Sequence, residues 1–418
     1  MFLKKIKIKN IRCISEIDID LESRATANHS LVLLGNNGVG KSTILKCIAL
    51  GLCDAGGASA LLADMYGSLV RNGEKKGVIE LTLNQGTKNY TIKTTIRAST
   101  EDEDIEEIEK DTTSPQKRFP WSDVFMCGYG PSRILRGTNS YDQYALADAV
   151  YTLFNYGWKL QNPELVVRRH GYNNKTAEKA ILKQLADILM MKPNALRMSR
   201  TGITVREDHN KSEINFGALA DGHQSTLNWV IDLIGWTYLN RRKNPSGIVL
   251  LDEVENHLHP MWQRHIMRLL SNAFPRIQFI ATSHSPICAV GMSDKTARGF
   301  KVGESHVLVR QGNHAESYEL TSLVGRSYDR VLESTAFGVM PIGTELESAM
   351  MKYRSLQKSG ASKSLLKKAM EELNEISPST GELEEQVELD RQLAELLKKK
   401  KPSTVRSKSI KKAVKRKK

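Results

Sequence analysis

The chain has 418 residues, of which 40% are apolar and 26% charged, and its net charge is +14; this length is enough for two or three domains with their own cores. Its five cysteines are scattered and never arranged as C-x-x-C, which excludes a disulfide framework and a cysteine zinc site and indicates a reducing cytosol. Because no apolar run approaches the length of a bilayer, and the alternating start of the chain is unlike a signal peptide, we expect a cytoplasmic protein without a membrane partner.

Segments near the amino end have the alternating pattern of half-buried strands. Residues 2–20 alternate between apolar and polar side chains, as do residues 78–83 and 90–96 on either side of a polar stretch. A strand with every second side chain apolar buries one face, and two such runs around a short polar turn indicate a hairpin. These segments predict an antiparallel sheet.

A glycine-rich loop lies between a predicted strand and a predicted helix. It reads GNNGVGKS from Gly35 to Ser42, which fits G-x-x-x-x-G-K-[ST], with an apolar run before it and a helical pattern after it. Glycines let backbone N–H groups wrap phosphates, the lysine reaches the β- and γ-phosphates, and the serine hydroxyl ligates Mg²⁺. The loop therefore predicts a nucleotide and Mg²⁺ site. Its expected contact residues are Asn36, Asn37, Gly38, Val39, Gly40, Lys41, Ser42 and Thr43.

The middle of the chain is predicted to hold a loop and a helical lobe. Residues 101–111 contain eight acids and one lysine, which predicts a solvated loop. Helical patterns over residues 141–160 and 176–191 predict a compact helical lobe at about 140–210. No heptad pattern is sustained there, so a coiled-coil rod is not expected.

A second candidate phosphate loop precedes a helical pattern further along the chain. Residues 219–225 read LADGHQS, and apolar residues at helical spacing follow from Leu227. The start of a helix carries unpaired N–H groups and the positive end of the helix dipole, which suit a phosphate. The same residues can also be an ordinary cap before a helix that begins at Ser225 or Thr226.

Two continuous apolar runs end in residues that can bind a metal or a phosphate. Residues 247–251 are followed by Asp252 and Glu253, and residues 278–282 lead to His284. Buried strands of a parallel sheet have this continuous pattern, and their functional groups stand at the carboxyl ends. In P-loop ATPases an aspartate at this place holds Mg²⁺, and a histidine can donate a hydrogen bond to a γ-phosphate.

The character of the sequence changes after His284. Residues 299–320 have the pattern of two short strands, and three charged amphipathic helical stretches follow near residues 344–358, 363–375 and 382–400. Helices of mixed charge usually form a small solvated bundle or face a partner.

Most of the net positive charge lies at the carboxyl end. Residues 398–418 hold twelve lysines or arginines and no acid, which leaves +2 for the rest of the chain. This segment is predicted to be disordered, and it either contacts DNA or RNA phosphates without sequence preference or acts as a solubilising terminus. We therefore predict a nucleotide-binding head over residues 1–325, a helical partner-docking region over 326–400 and a basic disordered tail over 401–418.

The motifs GNNGVGKST, LADGHQS, LLDEVENHLHP and ATSHSP, in this order, resemble those of the ABC-type ATPase heads of the RecF/SMC/OLD superfamily. The resemblance covers residues 1–325 and implies an α/β fold. That fold is a P-loop ATPase head with a mixed sheet and a flanking antiparallel sheet, here with the helical lobe and a small C-terminal helical bundle. The resemblance implies ATP and Mg²⁺ as ligands.

The same resemblance implies a role for each motif residue. Lys41 and Ser42 would contact the phosphates and Mg²⁺, Asp252 would stand on the Mg²⁺ side, Glu253 would be the general base and His284 the switch. The signature loop would contact the ATP of another subunit, so the heads would work as a homodimer or a higher homo-oligomer. The residues of that loop are Ala220, Asp221, Gly222 and Ser225.

Two positions depart from the pattern of that superfamily. Ala220 stands where the signature loop has a serine, and no clear glutamine ends the strand where a metal-contacting Q-loop belongs. Residues 124–133 occupy about that place, and Gln143 after them is a candidate. Arg133 is open to two interpretations, a phosphate or partner contact and a surface arginine after a proline turn.

The carboxyl-terminal part of the sequence resembles a smaller group of ATPases within that superfamily. Residues 326–341, with the helical layout after them, resemble Septu PtuA-type ATPases and the retron-associated ATPases of bacterial anti-phage defence. This resemblance implies an HNH nuclease, PtuB-like, as a partner.

Three functional classes follow from these motifs. In the first, the chain is an ATPase sensor or regulator that controls a separate nuclease acting on nucleic acid. In the second, it is itself a nuclease, as OLD-family proteins are through a Toprim domain, but no D-x-D pair that would hold Mg²⁺ follows His284. In the third, it is a DNA repair or chromosome-maintenance ATPase of the RecF/SMC kind. We favour the first class.

Overall fold

In the computed structural model the chain forms two compact units, Met1–Val331 and Leu332–Lys418. The predicted domain limits stay predictions, and Ala220, the helical stretch 382–400 and the basic tail lie outside the described residues. The structure describes residues 1–21, 29–65, 67–98, 106–115, 119–133, 141–171, 174–200, 202–206, 213–215, 221–240, 246–311 and 314–320 of the first unit and residues 348–349, 352–353, 355–356 and 363–376 of the second.

The elements are numbered in chain order. The strands are β1 (Phe2–Ile11), β2 (Ile14–Asp20), β3 (Ser30–Gly35), β4 (Lys76–Gln85), β5 (Lys88–Arg97), β6 (Glu107–Thr113), β7 (Met126–Tyr129), β8 (Leu196–Ser199), β9 (Gly202–Arg206), β10 (Glu213–Asn215), β11 (Gly247–Leu251), β12 (Ile277–Ser283), β13 (Gly303–Gln311) and β14 (His314–Glu319). The helices are α1 (Lys41–Leu52), α2 (Ala55–Ala63), α3 (Leu146–Val150), α4 (Pro163–Gly171), α5 (Lys175–Ile188), α6 (Asp221–Leu239), α7 (Pro260–Ala273), α8 (Pro286–Gly291) and α9 (Lys363–Ile376).

The central sheet is mixed, as predicted. Its strand order is β14-β13-β3-β12-β11-β7, and every neighbouring pair is parallel except β13 and β14. Strands β3, β11 and β12 are buried along their whole length, which explains why apolar residues run together in them rather than alternate with exposed polar ones. Because these three strands are parallel neighbours, the residues that follow them meet at one edge of the sheet.

The predicted antiparallel sheet is also present, and it is larger than expected. Its order is β2-β1-β4-β5-β6, and the hairpin of β4 and β5 turns at Gly86, whose φ angle is +67°. Helix α1 packs between this sheet and the central sheet. Gly51 permits that approach, because a Cβ atom there would lie 2.5 Å from the Cδ1 atom of Leu81.

The prediction of a solvated loop over residues 101–111 is wrong for residues 107–111, which belong to β6, whereas residues 101–105 lie outside the described residues. Strand β6 pairs with β5 over its whole length. Lys110 of β6 is half-buried and donates hydrogen bonds to the carbonyl oxygens of Leu50 and Gly51, at the carboxyl end of α1. The acids alternate with Ile108 and Lys110, so one face of the strand packs while the other carries the charge.

The lobe between the P-loop and α6 is less helical than expected. Helix α5 agrees with the pattern over residues 176–191, whereas the helical pattern over residues 141–160 corresponds only to α3 and a short 3₁₀ turn that ends at Leu153. The side chain of Asn155 then accepts a hydrogen bond from the N–H of Gly157, a turn that ends the helix. Strands β8, β9 and β10 form a third, antiparallel sheet that the sequence patterns did not predict.

The second unit contains the predicted helix over residues 363–375, observed as α9. Lys352 forms an ion pair of 2.7 Å with Glu372 on this helix, and Ala369 is buried. A helix with the length and apolar surface needed to traverse a bilayer is not found among the described residues of either unit.

Candidate nucleotide site

The glycine-rich loop between β3 and α1 has a backbone that side chains would disturb. Gly35, Gly38 and Gly40 have φ angles of +147°, +75° and +104°. A Cβ atom at Gly35 would lie 2.6 Å from the carbonyl oxygen of Leu308, and one at Gly38 would meet no atom within 4 Å. Gly40 caps α1, whose first N–H groups have no intrahelical acceptor and face the loop. This arrangement suits a phosphate group.

The side chains of the loop divide into exposed and buried ones. Asn36 and Asn37 are exposed, whereas Val39 and Thr43 are buried in the core. For the buried pair, the backbone N–H is therefore the group that could face a phosphate. Their nucleotide contacts stay predictions.

Lys41 occupies the centre of the site. Its ammonium group donates hydrogen bonds to the carbonyl oxygens of Gly35 (2.8 Å) and Asn36 (3.0 Å), and its Nζ atom lies 3.3 Å from Nδ1 of His284. Burial lowers the pKa of Lys41 to about 8, although the nearby charges of Asp252, Glu255 and Glu253 act in the opposite direction. Lys41 thus connects the carboxyl ends of β3 and β12.

Asp252 is held from both neighbouring strands. Its Oδ1 atom accepts hydrogen bonds from the Ser42 hydroxyl (3.0 Å) and from the Thr282 hydroxyl (2.5 Å), and its N–H donates to the carbonyl oxygen of Tyr129 (2.8 Å). A carboxylate beside a hydroxyl is the oxygen donor set that Mg²⁺ prefers. The pair predicted to bind the metal, Ser42 and Asp252, therefore fits Mg²⁺.

Glu253 adopts a backbone conformation unusual for a residue with a side chain, with a φ angle of +48°. Its N–H donates to the Thr282 hydroxyl (2.8 Å), and its carboxylate accepts a hydrogen bond from the side chain of Asn256 (2.7 Å). The second carboxylate oxygen lies 4.0 Å from Nε2 of His284. About a third of the Glu253 side chain is exposed, so a water molecule can reach it.

His284 lies between the lysine and the glutamate. Its Nδ1 atom faces the Lys41 ammonium group, a donor, so Nε2 carries the proton in the neutral ring and faces Glu253. Its backbone N–H donates to the carboxylate of Glu255. This hydrogen bond joins the residue after β12 to the segment that follows β11.

The surface interpretation of Arg133 is wrong. Its side chain is 8% exposed, and its Nη2 atom donates hydrogen bonds to the carbonyl oxygens of Asp252 (2.9 Å) and Glu253 (3.0 Å). Burial lowers the pKa of Arg133 to about 10, although the charges of Glu255, Asp252 and Glu253 oppose this. Gln143, the Q-loop candidate, is exposed before α3 and stays a prediction.

The signature residues lie at the start of α6. This helix begins at Asp221, so Gly222 and Ser225 belong to its first turns, and the expected helix start at Ser225 or Thr226 is wrong. Ser225 is half-buried. The role of these residues toward another subunit stays a prediction.

Three residues of the site were quoted within motifs but received no role. Thr282 holds both Asp252 and the Glu253 N–H, Asn256 binds the Glu253 carboxylate, and Glu255 binds the His284 backbone. Their position in the sequence could have indicated a role in the site. Each of them lies within three residues of a predicted site residue, near the carboxyl end of a strand.

Replacing Thr282 with valine is expected to destabilise the fold by about 1–3 kcal/mol, because it removes the acceptor of a buried N–H and a donor to a buried carboxylate. Denaturant unfolding measures this loss. Threonine to serine at the same position keeps the hydroxyl and should restore most of it.

A control for this substitution is Ser271→Ala. The buried Ser271 hydroxyl has no hydrogen-bond partner within the described part of the chain, so its removal should change the free energy of unfolding little. Equal losses in Thr282→Val and Ser271→Ala would show that the Thr282 bonds contribute nothing specific.

The chain matches two protein-family models. One, described as "AAA domain", matches residues 5–190, and the other, described as "AAA domain, putative AbiEii toxin, Type IV TA system", matches residues 157–288. Together the two matches include the glycine-rich loop, the signature residues and the exits of β11 and β12.

Curated relatives and solved structures add to this. The "Septu protein PtuA" of Bacillus mycoides (strain KBAB4) is 29% identical over 371 residues, which are 84% of this chain and 47% of that protein. The "Retron Vc95 probable ATPase" of Vibrio cholerae serotype O1 biovar El Tor is 32% identical over 136 residues, 30% of this chain and 26% of that protein. The "SMC head domain from Thermotoga maritima" has a TM-score of 0.46 and 14% identity, over 77% of this chain and 100% of that one.

This chain spans less than half the length of those two curated relatives. Both family models describe AAA domains, and the matched regions contain the P-loop lysine, the paired acids after β11 and the histidine after β12 at one sheet edge. Over the matched regions the chain is therefore similar to AAA-domain proteins and to the Septu PtuA and retron ATPase relatives.

Proposed function

We propose that the protein is the ATP-driven switch of a bacterial anti-phage defence system, in which ATP pairs two heads and hydrolysis controls an associated HNH nuclease. The observation that supports an ATP site is a pair of contacts, from Lys41 to His284 and from Ser42 to Asp252. Together they connect the segments that follow β3, β11 and β12. The names of the Septu and retron relatives support the defence role.

In this proposal the loop of residues 36–43 binds the phosphates of ATP. Lys41 leaves the carbonyl oxygens of Gly35 and Asn36 and turns to the β- and γ-phosphates. Ser42 and Asp252 would hold Mg²⁺, which when bound neutralises charge that develops on the phosphates.

Glu253 accepts a proton from the attacking water. Asn256 binds one of its carboxylate oxygens, which fixes the direction of the side chain, and the exposed edge remains for the water. His284 donates from Nε2 and so can contact a γ-phosphate oxygen on the same side.

Two heads complete the site. The Gly222 and Ser225 turn of one head contacts the ATP held by the other, with backbone N–H groups at the start of α6 as donors. Contacts to the γ-phosphate exist only with ATP, so they supply the differential affinity that a switch requires. Hydrolysis then releases the pair.

The carboxyl-terminal sequence is where we place the contacts with the partner and the target. We assign the helical region over residues 326–400 to docking of the nuclease, and the basic residues 398–418 to DNA or RNA phosphates. Since the curated relatives are longer than this chain, their whole assembly is carried over only as part of this proposal.

Ser225→Ala is expected to weaken ATP-driven pairing of the heads about tenfold or more, because it removes a hydrogen bond to a charged phosphate worth roughly 1.5–3 kcal/mol. ATP affinity of the single head should stay within about twofold, since the contact is made across the interface. Light scattering with a non-hydrolysable ATP analogue measures pairing, and fluorescent-nucleotide titration measures affinity.

Thr237→Ala is the matched control for that experiment, because it removes a hydroxyl from the other end of α6, where it donates to the carbonyl oxygen of Ile234. Pairing should be unchanged in this variant. An unaltered dimer in Ser225→Ala, or an equal loss of binding and pairing, would argue against a contact in trans.

Purification of the untagged protein from its own host tests the partner. Co-purification of an HNH protein would support the nuclease switch, and recombination or repair factors would favour the RecF/SMC-like alternative. Metal-dependent DNA cleavage by the purified chain alone would favour the OLD-like alternative.

A further inference from the structure

Arg133 is a buried cation to which the proposed hydrolysis step gives no role. It follows β7, and its Nη2 atom donates to the carbonyl oxygens of both Asp252 and Glu253. These two residues are the proposed Mg²⁺ ligand and the proposed base. The guanidinium binds their backbone, whereas its Nε atom is buried and has no hydrogen-bond partner in the described part of the chain.

The two carbonyl groups flank the Cα atom of Glu253. The carbonyl of Asp252 belongs to the peptide plane before Glu253, and the carbonyl of Glu253 belongs to the plane after it. A donor that holds both planes fixes the φ and ψ angles between them. At Glu253 this matters because its φ angle of +48° lies in the left-handed region, which is strained for a residue with a side chain and persists only where neighbouring groups enforce it.

Arg133 is itself fixed by α6. Its guanidinium carbon lies 5.8 Å from the centre of the Trp229 ring, a side chain of α6 that is 1% exposed. The Trp229 ring packs on Tyr129, whose hydroxyl donates to Asp232 one turn further along α6 (2.9 Å). The carbonyl oxygen of Tyr129 accepts the N–H of Asp252. The turn that carries Glu253 is thus connected to α6 in two ways. Arg133 lies over Trp229, and Tyr129 donates to Asp232.

We propose that Arg133 is a positioning residue that clamps the two peptide planes around Glu253 and so aims its carboxylate at the attacking water. This inference rests on the proposed function of Glu253 in hydrolysis. The clamp itself is a property of the nucleotide-free protein and can be measured without ATP.

The test compares Arg133→Met with Arg133→Lys in the full chain. Methionine keeps the apolar stem but leaves both carbonyl groups without their donor, so kcat should fall about 10- to 100-fold, the loss expected from a misplacement of about 1 Å. KM and the dissociation constant of ATP should stay within about twofold, because the phosphate contacts are unchanged. Lysine offers one nitrogen with several donors, as Nη2 does, and should restore most of kcat.

Hydrogen exchange gives a second measurement in the absence of nucleotide. The amides of residues 253–256 should exchange about tenfold faster in Arg133→Met than in the unmodified protein, since the turn loses its clamp. Arg168→Met is the matched control, because Arg168 also donates to two carbonyl oxygens, those of Ser199 and Arg200, at a place outside the site. It should leave both kcat and exchange at residues 253–256 unchanged.

Two results would overturn the inference. One is a folded Arg133→Met variant with normal kcat and normal exchange at the turn. The other is a variant in which thermal stability, KM and kcat all worsen together and lysine restores none of them, which would indicate a structural role only. If Glu253→Gln hydrolyses ATP normally, the proposed base is wrong, and exchange at the turn still decides whether Arg133 is a clamp.

Discussion

Glu253→Gln is expected to lower the rate of ATP hydrolysis by about 10²- to 10⁴-fold, the usual contribution of a general base. The amide keeps the shape of the side chain and can still accept the hydrogen bond from Asn256, so the turn should remain folded. ATP affinity should be almost unchanged, because the phosphates contact the glycine-rich loop and Lys41. The ATP-bound pair should live longer, since its release needs hydrolysis.

Single-turnover hydrolysis and light scattering measure these two effects. The matched control is Glu109→Gln on β6, an exposed acid paired with Arg97 on the neighbouring strand, which should leave both unchanged. Hydrolysis at the normal rate in Glu253→Gln would remove Glu253 from the role of base. Loss of ATP binding would instead mean that the charge of Glu253 contributes to the binding of ATP and not only to its hydrolysis.

The central sheet and the P-loop were predictable because their signals are local. A strand buried on both faces has to be mostly apolar, and residues 31–34 of β3, the whole of β11 and residues 279–281 of β12 show this without reference to any other segment. Parallel neighbours bring their carboxyl ends together, so Lys41, Asp252 and His284 lie at one edge of the sheet.

Arg133 shows what a local pattern does not contain. A proline turn before an arginine usually lies at the surface, and the sequence has no mark for the two carbonyl groups, more than a hundred residues away, that receive its hydrogen bonds. Thr282 and Asn256 were missed for a related reason, because hydroxyl and amide side chains have many roles and only the strand pairing decides which group they meet.

Strand β6 and the region around Asn155 show a different cause of error. In β6 the count of acids outweighed their alternation, although a strand at the edge of a sheet can carry charge on one face and pack Ile108 on the other. Around Asn155, the apolar spacing continued the helical pattern to residue 160, but the helical residues end at Leu153 and an Asn-x-Gly turn follows. Composition misled the prediction at β6, and apolar spacing misled it around Asn155.

Lys41→Met is expected to weaken ATP binding roughly 10- to 100-fold, because it removes charge-assisted hydrogen bonds worth about 1.5–3 kcal/mol. Methionine has a similar length and is apolar, so it should be tolerated at this buried position. Equilibrium titration with a fluorescent ATP analogue measures the loss. Normal affinity in this variant would contradict the phosphate assignment.

The pH dependence of that affinity has a defined sign. Burial lowers the pKa of Lys41 to about 8 in the nucleotide-free protein, and bound phosphates would raise it again by stabilising the ammonium form. ATP affinity should therefore be constant below about pH 8 and fall by up to about tenfold per unit above it, since binding then requires uptake of a proton. The stability of the nucleotide-free fold has the opposite dependence: from about pH 8 toward 10.5 the unfolded chain binds more protons at this residue, so its contribution to stability rises.

Lys110→Met is the control that separates Lys41 from a half-buried lysine outside the loop. The pKa of Lys110 is also lowered to about 8 by burial, but its ammonium group binds the carboxyl end of α1, away from the loop. This variant should keep the fall in ATP affinity above pH 8, whereas Lys41→Met should show a low affinity that no longer changes with pH. If the slope persists in Lys41→Met, another group takes up the proton, and the phosphate contact of Lys41 is not what makes ATP binding sensitive to pH.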